Sequence, residues 1–241
     1  MSSDKVVAFL GASTGIGLSA LKHTLAAGHQ CIALCRDPSK LIKIFPSEST
    51  PNLKVIKGNA HDVAAVSQCI QADGRIVDVI VTTIGAKPIP HKMTVDDPDV
   101  CKKGAATLLD ALAQLRSSGI KGSPYIIACS TAGFSRFGRD IPLAMRPIYA
   151  LFVRVPGADK VVMEDRFANS GEKFTIVRPS HLGDGESSKT IRVGIEDPKT
   201  GPVSNVTGYS ISREDAGKWL AENLVLQMDT KYLNKNVLIT Y

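Results

Sequence analysis

A chain of 241 residues, 44% hydrophobic and 22% charged, is long enough to enclose one substantial core and too ordinary in composition to be disordered or fibrous. Its formal charge of +6 suits an anionic small molecule, but the lysines and arginines are spread from Lys5 to Lys235, so nucleic acid is not an expected partner. Five cysteines without a Cys-x-x-Cys pair imply reduced, packed thiols and a cytoplasmic setting, and no stretch has the length or flanks of a signal peptide or membrane span.

Lys5 to Leu10 is a short apolar run ending at glycine, and from Gly15 to Ala27 apolar residues recur at helical spacing until Gly28 closes the segment. Gln30 to Cys35 then reads as a second strand, Pro38 to Ile44 as a short helix, Leu53 to Ile56 as a third strand and Val63 to Ile70 as a helix. Val77 to Val81 is a fourth strand, Cys101 to Leu115 an alanine- and leucine-rich helix, and Tyr125 to Cys129 a fifth strand. Because parallel neighbours need right-handed crossovers, this alternation predicts an α/β doubly wound parallel sheet with helices on both faces. After Ser130 the pattern changes: residues 134–156 are rich in arginine and proline and form a candidate lid, with Phe134, Tyr149, Leu151 and Phe152 as pocket walls. A helix at Ala158 to Ala168, a strand at Phe174 to Val177, a Gly/Ser/Asp-rich loop, a helix at Arg213 to Leu226 and a strand at Asn236 to Thr240 complete one domain.

Gly11, Gly15 and Gly17 stand in the run Gly11-Ala12-Ser13-Thr14-Gly15-Ile16-Gly17, between the first strand and the first helix. Glycine tolerates positive backbone torsions, and without a Cβ its amides can approach a phosphate at a helix N-terminus. Three glycines also occur in ordinary turns; their place after a strand and at the head of a helix points to a dinucleotide.

The spacing Gly-x-x-x-Gly-x-Gly, with the strands around it, resembles the short-chain dehydrogenase/reductase superfamily over nearly the whole chain. The resemblance implies a Rossmann-type fold with a small C-terminal substrate lobe drawing on residues 181–210. It also implies that the residue ending the second strand selects the cofactor, an acid for NAD and an arginine for the extra phosphate of NADP. That residue is Arg36, so NADP(H) is expected, with NAD(H) kept open by Asp37 beside it. Ser13, Thr14 and Lys40 would add donors to that phosphate, and Ile16 lies within the turn. Asn59-Ala60 occupies the place that holds adenine, or is a turn cap; Thr83 to Gly85 is where backbone would contact the ribose.

In the best-known branch of that superfamily a serine orients the substrate, a tyrosine donates the proton, and a lysine four residues later holds the ribose. Ser130 and Lys160 match the serine and the lysine, but Pro156 stands where the tyrosine would be. The chain is more similar to the atypical branch of NmrA-like and biliverdin reductase B-like proteins, through Cys35-Arg36-Asp37-Pro38-Ser39-Lys40, through Lys160 to Ser170 followed by Phe174-Thr175-Ile176-Val177-Arg178-Pro179, and through Ile211-Ser212-Arg213-Glu214-Asp215-Ala216. That likeness implies that Lys160 fixes the nicotinamide ribose, that Ser130 or Thr131 bonds a substrate carbonyl, and that Pro179 borders the nicotinamide. His181 is either a proton donor or a polar loop residue, and Tyr149 is read as a packing aromatic because Pro156-Gly157 separate it from Lys160. The histidines are scattered, so no metal is expected, and Ser130 lacks the Gly-x-Ser-x-Gly setting of a hydrolase nucleophile.

The expected function is an NADPH-dependent reductase or dehydrogenase of a small, largely apolar carbonyl or conjugated substrate, as found among relatives in secondary metabolism. A dinucleotide-binding sensor or scaffold, and a non-redox isomerase or cyclase, are the alternatives that the fold equally accommodates. The resemblance also admits a homodimer.

Overall fold

Five consecutive buried residues, Val6–Leu10, form strand β1 in the interior of a sheet covered on both faces. A computed structural model describes residues 4–89, 94–149 and 153–241. In chain order it continues with α1 (Gly15–Ala26), β2 (Gln30–Cys35), α2 (Ser39–Ile42), β3 (Leu53–Lys57), α3 (Val63–Cys69), β4 (Val79–Thr82), α4 (Val100–Ser117) and β5 (Tyr125–Cys129). Then follow α5 (Arg154–Ala168), β6 (Lys173–Pro179), β7 (His181–Gly183), β8 (Arg192–Asp197), β9 (Gly201–Ser204), β10 (Ser210–Ser212), α6 (Arg213–Leu220) and β11 (Lys235–Thr240). Small two-stranded pairings and short helical turns fill the connections.

The main sheet has nine strands in the order β9-β8-β11-β6-β5-β4-β1-β2-β3. Every neighbouring pair from β11 to β3 is parallel, whereas β8 and β9 join the edge antiparallel. The order reverses at β1, with β2 on one side and β4 on the other, which opens a crevice beyond their carboxyl ends. Side chains alternate along β1: Val7 and Phe9 face a cluster with Leu21 of α1 and Leu220 of α6, while Val6, Ala8 and Leu10 face one with Val66 of α3, Leu108 of α4 and Phe167 of α5. The two layers of helices are thus set by alternate residues of the same strands.

Several expectations need correction. Helix α5 begins at Arg154, not Ala158, and runs through Pro156 and Gly157; in a first turn proline has no helical N–H bond to lose. The helix expected to run to Leu226 is α-helical only to Leu220, then widens into a π turn over Ala221–Leu226. That turn is held by Lys5, whose Nζ donates to the carbonyls of Val225 and Leu226 at 2.8 Å each. The stretch read as a loop after β6 contains four strands. β7 pairs in parallel with β10, and β8 pairs with β11, which supplies the ladder that the mixed sequence of Arg192–Asp197 does not announce.

Within the candidate lid, Phe134 packs its ring where a Cβ on Gly157 would lie, 1.8 Å from Cζ, and Phe137 rests against Gly201 of β9. Leu151 and Phe152 lie outside the described residues. The lid's first turn therefore covers α5 and the antiparallel edge. Beneath it, Arg178 of β6 bonds both oxygens of Glu164 on α5, with Nε to Oε1 at 3.1 Å, and Oε1 of Glu196 on β8 at 2.8 Å. Asn236 and Ser135 also donate to Glu196, so one buried guanidinium ties helix, sheet edge and lid together.

All five cysteines are free and buried. Burial pushes the thiols of Cys31 and Cys69 up to about 12 and that of Cys101 up to about 11, so the reactive thiolate is scarce at neutral pH. A thiol reagent at pH 8 is expected to label the folded protein at these positions only slowly, and all five within minutes in guanidinium. Rapid native labelling of Cys31, Cys69 or Cys101 by peptide mapping would contradict that packing. No helix is long and apolar enough to cross a membrane among the described residues.

Candidate functional site

The crevice is built around the glycine turn. Gly11 has φ of 94°, and a Cβ there would sit 2.9 Å from the backbone of Thr83 and Ile84. Gly15 also has a positive φ, 58°. A Cβ on Gly17 would lie 2.2 Å from Thr83 Oγ1 and 2.7 Å from the Gly11 carbonyl, which itself accepts the Thr83 hydroxyl at 3.1 Å. The start of α1 is therefore pressed against the exit of β4. Thr14 caps α1 in an extended conformation without a side-chain bond, and the first turn carries no acid. Its amides and the positive end of the helix dipole thus face no protein carboxylate of their own, the arrangement an anionic pyrophosphate requires. Ser13 is half-buried within this turn and Ile16 is buried beneath it.

Beyond β2, Arg36 is exposed, and no ion pair among the described residues involves it. Asp37 is engaged elsewhere: its carboxylate accepts the Ser39 hydroxyl at 2.7 Å and the Ser39 amide at 3.2 Å, and this hydrogen bonding holds it below the usual carboxylate range. Lys40 is exposed on α2. Asn59 accepts the His61 amide at 3.2 Å, so its oxygen caps a turn, with Ala60 packed against the core beside it. Gly85, exposed beyond β4, completes this side of the crevice with Thr83.

At the exit of β5 the Ser130 hydroxyl is buried and has no hydrogen-bond partner among the described residues. A native structure rarely leaves such a group without a water, an ion or a ligand to complete it; the Ser67 hydroxyl on α3 is likewise without a partner among the described residues. Lys160, on α5, extends Nζ to the Cys129 carbonyl at 3.0 Å, one residue before Ser130. Burial pulls the Lys160 ammonium down, but neighbouring Cys101, Cys129, Glu164 and Asp159 outweigh it, and its pKa is raised. The carboxylates of Glu164 and Asp159 beside it favour the ammonium form at neutral pH. Asp159, beside it, is buried and accepts the amides of Cys101 at 2.7 Å and Lys102 at 2.9 Å, so α5 caps the start of α4 and is locked in place. Sequence reasoning missed Asp159 because its partners lie about sixty residues away; a carboxylate next to Lys160 was the available signal.

Pro179 ends β6 and is buried, its carbonyl accepting the Ala132 amide at 3.0 Å. His181 is exposed on β7. Thr131 is half-buried and lies beside Tyr149, whose ring packs on Gly133, where a Cβ would meet Cδ1 at 2.4 Å. Burial, helped by Asp140, pushes the Tyr149 phenol up against the opposing hydrogen bond from Thr131, so it stays protonated at neutral pH. The structure thus gathers the glycine turn, Thr83, Ser130, Thr131, Lys160 and Pro179 at the carboxyl ends of neighbouring strands. Phe134 instead packs on α5 and lines a small cavity of about 20 Å³ beside Arg178 and Glu196. Among the described residues no group of three His, Cys, Asp or Glu side chains could hold a metal.

A family model described as NAD(P)H-binding matches residues 11–225. The protein named Reductase pytE of Aspergillus terreus is 39% identical over 270 aligned residues covering all of both chains. The protein named Oxidase pynE of Aspergillus niger is 27% identical over 285, covering 99% of each. Among solved structures, a short-chain dehydrogenase/reductase (wide type) from Veillonella parvula in complex with NADP superposes with a TM-score of 0.72 at 17% identity, covering 98% of this chain and 94% of that one.

Proposed function

Because this chain belongs to the NAD(P)H-binding family, with the fold of the short-chain dehydrogenases/reductases, we propose that it is an NADPH-dependent reductase of a small, largely apolar carbonyl or conjugated substrate. The observation that carries this reading is the buried, unpartnered Ser130 hydroxyl beside the Lys160 cation, at the strand exits next to an uncapped glycine turn. The relative named a reductase, at 39% identity over its whole length, supports it.

In this reading the amides around Gly11, Gly15 and Gly17 hold the pyrophosphate. Arg36 grips the 2′-phosphate, and Ser39 occupies one oxygen of the Asp37 carboxylate that would otherwise serve an unphosphorylated ribose, which favours NADP(H) over NAD(H). The bound cofactor supplies a hydride equivalent to the substrate. Ser130 donates to the substrate carbonyl, and the Lys160 ammonium stabilises charge developing on oxygen and fixes the ribose. Pro156 supplies no proton, so the proton comes from water, from His181 or from the neutral Tyr149 phenol beside Thr131. Reduced thiols suit a cytoplasmic setting.

The test is NADPH and NADH binding alongside oxidation of each over a panel of quinones, flavins, enones and aldehydes. NADPH is expected to bind at least about tenfold tighter than NADH, with Arg36→Ala erasing the preference. Lys160→Ala is expected to lower turnover about a hundredfold or more. Tight binding with no oxidation anywhere would replace the reductase by a dinucleotide-binding sensor or an isomerase; equal affinity for NADH would remove Arg36 from its role.

A further inference from the structure

Arg213, the first residue of α6, comes from the far end of the chain yet lies on the glycine turn. A Cβ added to Gly15 would sit 3.3 Å from Arg213 Cδ and 3.9 Å from its Nε. This placement is rigid. A Cβ on Gly217 would fall 2.4 Å from the Ile16 carbonyl and 2.5 Å from Ser19 Cβ, and Ser19 Oγ donates to the Glu214 carbonyl at 2.6 Å, so the first turns of α6 and α1 are clamped together. The guanidinium itself is weakly committed. Nη1 donates to the Gly183 carbonyl at 3.2 Å and pairs with Asp184, whose side chain is 81% exposed, the kind of surface pair that contributes little. The two acids that follow are occupied: Glu214 accepts the Gly185 amide at 2.9 Å and Asp215 the Ser187 amide at 3.1 Å.

Resting on the dinucleotide reading above, we propose that Arg213 is a further cofactor-binding residue, which turns its guanidinium from Asp184 to the pyrophosphate and so reports an occupied site to the 183–187 loop. A fork of N–H donors beside the head of α1 supplies the side-chain charge that the backbone amides lack, and a phosphate outcompetes a solvated carboxylate for it. The segment 183–187 begins at the end of β7, and its Gly185 and Ser187 amides already hang on Glu214 and Asp215. Exchange at Arg213 therefore releases the Gly183 carbonyl and Asp184 at the start of this loop, while the amides of Gly185 and Ser187 stay anchored.

The experiment is calorimetric titration of wild type, Arg213→Ala, Arg213→Lys and Asp184→Asn with NADPH and with adenosine 2′-monophosphate, which lacks a pyrophosphate. Arg213→Ala is expected to weaken NADPH about ten- to a hundredfold and leave the nucleotide fragment unchanged. Arg213→Lys, which preserves charge and helix, should lose less and serves if the alanine variant does not fold. Asp184→Asn should bind NADPH as tightly as wild type or more so, since it frees the guanidinium. Unchanged NADPH affinity in both Arg213 variants would overturn the inference, as would Asp184→Asn weakening NADPH as much as Arg213→Ala, which would mark the pair as structural. Wild type that binds neither NADPH nor NADH would instead remove the dinucleotide reading itself.

Discussion

Replacing Arg178 with methionine is expected to lower the melting temperature by about 6–20 °C, because breaking a buried pair costs about 3–5 kcal/mol and each kcal/mol shifts a domain of this size by about 2–4 °C. The reason lies in what remains. Glu164 and Glu196 would keep their carboxylates in a region where Arg178 and Glu164 are each under a tenth exposed, with no guanidinium bonded to them. That loss is a large fraction of the roughly 5–15 kcal/mol margin typical of a domain. Adding Glu164→Leu and Glu196→Gln to the methionine variant should restore most of the stability, since a well-packed apolar replacement of a buried ion cluster is often neutral or better. The idea fails if Arg178→Met melts within a degree or two of wild type by differential scanning calorimetry.

Gly17→Ala should cost the protein up to about a hundredfold in NADPH affinity, the binding equivalent of the roughly 1–3 kcal/mol of strain that an overpacked methyl brings. Thr83 could rotate its hydroxyl away, but the Gly11 carbonyl at 2.7 Å and the Ala12 Cα at 3.0 Å are backbone and cannot. The head of α1 must then withdraw from the turn, carrying with it the amides on which the pyrophosphate depends. Because the strain falls at one end of one helix, circular dichroism should report a nearly native fold while titration reports the lost affinity. A Gly17→Ala protein with wild-type NADPH affinity would show that this turn does not carry the cofactor.

Strand and helix alternation from β1 to β5 was legible because each element keeps one period and the breaks fall at glycine. The same local logic marked the glycine turn, whereas Arg36, Ser130 and Lys160 were singled out through the resemblance to the short-chain dehydrogenases/reductases. It failed where pairing is decided at a distance. Arg192–Asp197 carries arginine, glycine and two acids, and becomes a strand only because β11 presents an unpaired edge. Pro156-Gly157 looked like a helix break, yet both fit a first turn, where neither the missing N–H nor the missing Cβ is penalised, and the glycine makes room for Phe134. Asp159, Arg178 and Arg213 act through partners far along the chain, on α4, on β8 and on the glycine turn, so their spacing in sequence says nothing of their roles.

The clamp between the two helices at Ser19 and Gly217 also bears on how the protein comes to exist on the ribosome. The helix carrying the nucleotide cradle is synthesised well before the surface it needs for burial, which emerges roughly two hundred residues later. Until then Ile16, Ala20 and Leu21 have only the sheet to shield them, and such long sequence separation slows closure and prolongs exposure of sticky intermediates. Nascent chains arrested before Arg213 should accordingly depend on chaperones and be cut by proteases within the first helix, and they should gain resistance as one unit once the last helix is free to dock.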